Sequence, residues 1–150
     1  MKMSRFITIL SIVTEWTRRG EFKSRPSGVR RTLDVQFTLV LWPKGSEKEA
    51  CLLVLGPDDW QALVQKIKGM PYSDPTAQAL RRILGTKSDR VMLDKAGRIC
   101  VPEWMAKAVI IEKEAVLVGL LDRFEIWNPE RYATTSAVDE QLLPEAMKLI

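Results

Sequence analysis

Asp94 and Arg98 stand four residues apart around Lys95-Ala96-Gly97, and their chemistry is recognition rather than bond breaking. Arginine carries a planar fork of donors that matches the O6 and N7 acceptors of guanine. An aspartate four residues earlier accepts backbone N–H groups across a turn and holds the guanidinium in a bidentate pair, so its expected role is to orient Arg98. Lys95 at the tip is placed to meet a phosphate backbone. Bond-breaking chemistry has little to work with, because the chain contains no His. That removes the commonest general base, the commonest metal ligand and every Ser-His or Cys-His nucleophile. Glu125 and Glu130 are a candidate acid–base pair, but one falls in a strand pattern and the other at a helix start, where Glu complements the dipole. Gly119-Leu-Leu-Asp-Arg123 has turn character without a phosphate-loop pattern. No enzyme activity, metal, cofactor or small-molecule substrate is expected.

The elements that must position this pair are short. Val91-Met-Leu-Asp94 and Arg98-Ile-Cys-Val101 are β-prone runs separated by three residues with Gly last. This is the length and composition of a hairpin loop with Gly97 in the left-handed position, where a β-carbon would be strained. On residues alone two readings stay open: a base-reading tip, or an ordinary surface ion pair closing a hairpin and contributing ~0–1 kcal/mol.

Ahead of the hairpin, Pro57 to Lys68 reads as a helix with Trp60, Leu63, Val64 and Ile67 on one side, stopped by Gly69. Asp74 and Pro75 supply the cap and first residue of a second helix running to Leu84, closed by Gly85. Lys87 to Arg90 lead into the hairpin. The tail after Tyr132 reads as one frayed helix and a loosely held end, broken at Pro144. Trp42, Trp60, Trp104 and Trp127 occupy strand or helix positions that suit a core or subunit seam better than a ligand.

With 150 residues, 46% of them apolar, the chain can bury one good core, as one compact unit or two small half-units. Residues 1–31 hold eight basic residues against Glu15 and Glu21, a net of +6. The whole chain carries +4, so the positive charge is concentrated at one end. Cys51 and Cys100 lie in apolar strand-like runs without a C-x-x-C partner, the pattern of inert buried thiols in a reducing compartment. Phe6 to Val13 reads as a first strand rather than a secretion signal, since Thr8 and Ser11 interrupt it and no small-residue cleavage site follows. No run approaches the ~20 apolar residues of a membrane span.

A weak internal repeat organises the rest. Leu53-Val-Leu-Gly-Pro57-Asp-Asp-Trp60 lies over Glu125-Ile-Trp-Asn-Pro129-Glu-Arg-Tyr132 at an offset of 72 without a gap. Gly20 to Pro26 lies over Gly97 to Pro102 with one extra residue. The reading is a single domain over 1–150 with pseudo-repeats at about 5–68 and 89–143, joined by a helical segment at about 74–85.

Asp94-Lys-Ala-Gly-Arg-Ile-Cys-Val-Pro102, followed by Lys113-Glu-Ala-Val-Leu-Val-Gly-Leu120 and Arg123-Phe-Glu-Ile-Trp-Asn-Pro-Glu-Arg131, resembles the second repeat of the MraZ family, bacterial regulators related to the AbrB and MazE swapped-hairpin proteins. The resemblance implies an α+β fold: two swapped-hairpin β half-units forming a small β-barrel core with flanking helices. It also implies a cytoplasmic, nucleoid-associated transcription factor that assembles into a ring-shaped homo-oligomer. Such a protein binds double-stranded DNA at direct repeats upstream of the division and cell-wall operon through the Asp-x-x-x-Arg hairpin. Asp94, Lys95, Gly97 and Arg98 are the residues it designates. A MazE-like antitoxin or interaction module, and a ring-forming paralogue that no longer reads DNA, are the alternatives.

The first half departs from that pattern. Asp94 falls on Thr17 and Arg98 on Glu21, leaving a cluster of Arg18, Arg19, Lys23 and Arg25 that can grip phosphate without reading bases. A solvated charged face is the plainer alternative. After Pro102, Met105-Ala-Lys107 stands where the family has Leu-Arg-Glu, and Val109 where it has Gly; these changes read as a repacked subunit interface.

Overall fold

The computed structural model describes residues 5–8, 36–42 and 50–150. The first-half basic cluster, Arg18, Arg19, Lys23 and Arg25, lies outside the described residues, as do Thr17 and Glu21 and all but the Arg5–Thr8 end of the expected first strand.

The centre of the fold is β3 (Cys51–Leu55), whose five residues are buried on both faces. An uninterrupted apolar run is what a strand needs when both of its faces are covered. It pairs on one side with β2 (Gln36–Trp42) and on the other with β7 (Arg123–Trp127), both antiparallel. β4 (Ser88–Met92) and β6 (Val116–Leu120) are the outer strands of this five-stranded sheet, in the order β4-β2-β3-β7-β6. A separate two-stranded sheet joins β1 (Arg5–Thr8) to β5 (Arg98–Val101), with Arg5 opposite Val101 and Thr8 opposite Arg98.

Alternation along the strands divides the apolar residues into two cores. Phe37, Leu39, Leu52, Val54, Val91, Phe124 and Ile126 face the two-stranded sheet and α3 (Glu103–Ala108), which contribute Ile99, Val101, Met105 and Ala106. Val40, Leu53 and Leu55 face the opposite way, against Ile67 of α1 (Pro57–Lys68) and Leu84 of α2 (Pro75–Thr86), with Trp42 and Trp60 partly buried beside them. Helix pair, five-stranded sheet and small sheet with α3 make three layers: an α+β fold. Each fully buried Leu, Ile or Phe contributes on the order of 1.5–3 kcal/mol, so the cores, rather than the tip, hold the molecule together.

Helix α1 has the bounds its sequence signals give: Pro57 at its start, Asp58 and Asp59 in its first turn and Gly69 as C-cap. Arg81 from α2 closes this end, donating to the carbonyls of Ile67, Lys68 and Met70 while its guanidinium sits 5.3 Å from the centre of the Tyr72 ring. Helix α2 begins as expected, with Asp74 Oδ1 accepting from Thr76 N at 2.9 Å, but Gly85 does not end it. The helix continues to Thr86, and Lys87 N still reaches Ile83 O at 2.8 Å. Gly85 stays inside the helix, because the helical bonding continues past it to Lys87 N. The expected break at Pro144 is also absent: α4 (Pro129–Ala146) runs through it and passes into a 3-10 turn, Met147–Leu149. Pro144 lies near the exposed end, where water can take up the carbonyl its missing N–H leaves without a donor.

Two further expectations need correction. Met105, Ala106 and Val109 are not at a subunit interface but inside the chain's own core. Cys51 is buried, whereas Cys100 is only half-buried, because Ile99 and Val101 take the inward positions of β5.

The end of α3 carries the one non-glycine residue with positive φ among those described, Ile110 at 54°. Ile110 N donates to Lys107 O at 3.2 Å and Ile111 N to Ala106 O at 2.9 Å, the bond pattern that normally places Gly at this position. Asn128 locks it from the far side of the sequence. Its Nδ2 donates to Ile110 O at 2.7 Å, while its Oδ1 accepts from Glu130 N and Arg131 N to cap α4. Replacing Ile110 by Gly relieves roughly 1–2 kcal/mol of left-handed strain, more than the ~0.5–1 kcal/mol cost of glycine flexibility. Urea unfolding of Ile110→Gly is therefore expected to show a raised midpoint, and an unchanged or lowered one contradicts the strain. Asn128→Ala, which removes cap and lock together, is expected to lose about 1–2 kcal/mol in the same measurement.

Candidate functional site

The tip between β4 and β5 closes through a small set of bonds centred on Asp94. Asp94 N donates to Arg98 O at 2.8 Å and Gly97 N to Asp94 O at 3.1 Å. Gly97 has φ 76°, the left-handed conformation expected of the last residue of a three-residue loop. The Asp94 carboxylate completes the turn: Oδ1 accepts from Ala96 N at 2.9 Å and Arg98 N at 2.8 Å, and Oδ2 from Arg98 Nε at 3.0 Å. Lys95 and Ala96 are exposed at the apex.

Two features differ from the sequence expectation. The pairing of Asp94 with Arg98 is a single charge-assisted bond through Nε, not a bidentate one, because Oδ1 is taken by two backbone N–H groups. The fork that reads guanine is built from the terminal nitrogens, which are not the atoms Asp94 holds. Secondly, the two arms do not continue as a paired ribbon. β4 joins β2 with Phe37 opposite Val91, and β5 joins β1 with Ile7 opposite Ile99. The loop is a hairpin loop, but its arms belong to different sheets.

The four designated residues, Asp94, Lys95, Gly97 and Arg98, thus lie together at one accessible tip. Val91, Leu93, Ile99 and Val101 point into the core beneath it, which fixes the opposite set of positions outward. The Asp94 and Arg98 side chains remain 32% and 45% exposed. The same alternation places Arg90 and Met92 on the outer side behind the tip.

The remaining charged groups do structural work. Glu125 is buried, with Oε1 accepting from Trp127 Nε1 at 3.1 Å and Oε2 from Cys51 Sγ at 3.5 Å. Glu130 sits in the first turn of α4. Asp122 and Arg123 pair through two bonds at the β6–β7 turn, and burial pushes the neighbouring Asp59 carboxyl up from its ordinary value. Among the described residues no three His, Cys, Asp or Glu side chains are grouped as a metal site requires, and no helix is long and apolar enough to cross a membrane.

Comparison with known proteins matches residues 85–146 to the family described as "MraZ protein, putative antitoxin-like". The matched span begins at the end of α2 and takes in the tip, α3, the β6–β7 hairpin and α4. A curated relative from Marinobacter nauticus, named transcriptional regulator MraZ, is 34% identical over 103 residues, covering 67% of this chain and 69% of its own. One of the same name from Clostridium acetobutylicum is 33% identical over 140 residues, covering 90% of this chain and 95% of its own. Another from Thermomicrobium roseum is 36% identical over 85 residues, 57% of this chain and 60% of its own.

The bonds to Asp94 set its titration. The hydrogen bond from the Arg98 backbone N–H is the largest influence; with the Arg98 side chain and the Ala96 N–H it holds the carboxyl below its ordinary value of 3.8. A carboxylate depressed in the folded state stabilises it fully above 3.8, and that contribution is lost as pH falls through the lower folded value. Asp94→Asn is expected to be less stable than the parent at neutral pH, with the gap closing in acid. Urea unfolding of both proteins from neutral pH to well below 3.8 reads this directly. A gap that stays constant over that range contradicts the assignment.

Proposed function

The chain belongs to the MraZ family of transcriptional regulators, and from that premise we propose that it is an oligomeric regulator that reads double-stranded DNA with the Asp94–Arg98 tip. The observation that carries the reading is the exposed arginine at the root of a rigid β-turn whose aspartate holds it through Nε. The major groove of B-DNA admits a two-stranded β-ribbon and so has room for a tight β-turn, and an arginine fork discriminates guanine there by about 1–3 kcal/mol. Lys95 meets the phosphate backbone from the apex. In this reading the protein is not an enzyme. It works in the cytoplasm on the nucleoid, at direct repeats upstream of the division and cell-wall genes.

The two-half organisation belongs to the same proposal. β2, β3 and α1 follow one another as β6, β7 and α4 do, each helix opening on Pro after a strand. Strands of the first half pair with strands of the second three times, as β1–β5, β2–β4 and β3–β7. That interleaving is the arrangement expected of exchanged hairpins around one domain. Trp104, Ile110 and Leu121 stay exposed and suit the seams of a ring of identical subunits.

A second reading draws on α4. None of its residues is buried, and Val138, Leu142 and Leu143 are about half exposed, as a segment that captures a toxin-like partner would be. Tail-dependent co-purification of a protein encoded beside this one separates that reading from the first.

The direct test is a mobility-shift titration against the DNA upstream of the chain's own coding sequence, at two salt concentrations, with a scrambled duplex as competitor. The parent is expected to prefer the upstream DNA. Arg98→Ala is expected to lose that preference by roughly ten- to a hundredfold, the size of one bidentate base contact, while keeping salt-sensitive binding. An Arg98→Ala protein that discriminates as well as the parent removes Arg98 from the role.

A further inference from the structure

Arg90 is the basic residue at this end of the molecule that the tip motif leaves out. It lies in β4 two positions before Met92 and four before Asp94. The inward set here is Val91 and Leu93, so Arg90 and Met92 lie on the opposite face of β4, the face shared by Ser88 and its partner Val40. Arg90 is exposed and Met92 is 51% exposed. Among the described residues no carboxylate lies within ion-pair distance of the Arg90 guanidinium. Its neighbour Asp89 is on the other face of the strand, opposite Leu39, and turns Oδ1 to the Arg90 backbone N–H at 2.8 Å. β4 is the edge of its sheet, paired to β2 only, so nothing in that sheet covers the strand on its outer flank.

We infer that Arg90 is a second nucleic-acid contact, a phosphate clamp set behind the reading tip, which fixes the depth and angle at which the hairpin enters the groove. The inference rests on the DNA-binding reading above and adds a residue to it. Distances decide which part of DNA it meets. A strand rises ~3.3 Å per residue, so Arg90 lies roughly 13 Å behind Asp94. The major groove is only about 8.5 Å deep. With the tip among the base edges, Arg90 is at the rim, where the phosphates run, and Met92 lies within the groove between the two. A cation at the rim positions the protein and carries no sequence information.

The signature of such a contact differs from that of Arg98. Each phosphate neutralised contributes about 0.9 to the slope of log K against log salt. Arg90→Ala is therefore expected to bind upstream and scrambled DNA equally less well, roughly eightfold at 0.1 M salt if that slope holds up to 1 M. Its salt slope falls by about one unit and its preference for upstream DNA stays parental. Arg90→Lys keeps the charge and is expected to restore most of the loss, which separates a lost contact from a damaged fold. Lys113→Ala is the charge control: it precedes β6 at the opposite edge of the sheet, about 19 Å across at ~4.8 Å per strand, and is expected to bind as the parent does.

These titrations use the full chain, with oligomeric state checked by light scattering. Arg90→Ala binding with parental affinity and slope overturns the clamp, and so does a loss of sequence preference, which makes Arg90 a base reader. A parent without salt-sensitive DNA binding overturns the DNA reading itself and the clamp with it.

Discussion

The Asp94 carboxylate is the interaction on which the accessible end of the molecule depends. Beyond the tip the two arms part, β4 into the five-stranded sheet and β5 into the two-stranded one, so no ladder of backbone bonds holds them together. A hairpin without its ladder is marginal in water. Here the turn is closed by Asp94 N to Arg98 O, then by Oδ1 across the loop to Ala96 N and Arg98 N. The side chain does locally what strand pairing does elsewhere. The cores do the rest: Leu93 and Ile99 sink into one apolar cluster from the two arms, and that anchorage keeps the tip rigid while its outer surface stays wet.

What could be read from the sequence was whatever is decided locally. Pro57, two acidic residues and Gly69 set both ends of α1, and Lys95-Ala96-Gly97 set a three-residue loop with a left-handed glycine, because caps and turns are chosen by the residues that form them. Partnership between distant strands was not readable. Val91-Met-Leu-Asp94 looks equally suited to pair with Arg98-Ile-Cys-Val101 or with β2, and the choice of β2 comes from Phe37 and Val91 completing one core. The same holds for Arg81, whose role at the end of α1 depends on where α2 packs, and for Met105 and Val109, which departures from a family pattern suggested were at a seam but which burial places inside. Gly85 and Pro144 failed as punctuation for a related reason. Each disfavours a helix by a few kcal/mol at most, and a helix whose neighbouring turns are already formed absorbs that.

At the tip, the four residues designated from the sequence lie together, but the geometry between two of them differs from the expectation. Bidentate pairing is the best geometry for an isolated Arg and Asp, but Asp94 also has backbone donors within reach of Oδ1. Two neutral N–H groups held in place by the turn outcompete the second guanidinium bond because their positions cost no side-chain entropy to fix. Arg90 was invisible for the opposite reason. As a residue in a run of polar letters between helix and hairpin it looked like a linker, and only the inward commitment of Val91 and Leu93 fixes the face of β4 it occupies.

That single bond through Nε bears on how a reading residue should be held. Asp94 holds Arg98 through Nε, so on the proposed function the terminal nitrogens can meet a guanine without this pair breaking. Asp94 itself stays in place. Its Oδ1 remains bonded to Ala96 N and Arg98 N, so the turn keeps its shape and the carboxylate is not released toward the phosphates, which would repel it. One oxygen maintains the turn and the other restrains the arginine. Dividing the carboxylate in this way lets one side chain preorganise both the turn and the arginine that projects from it.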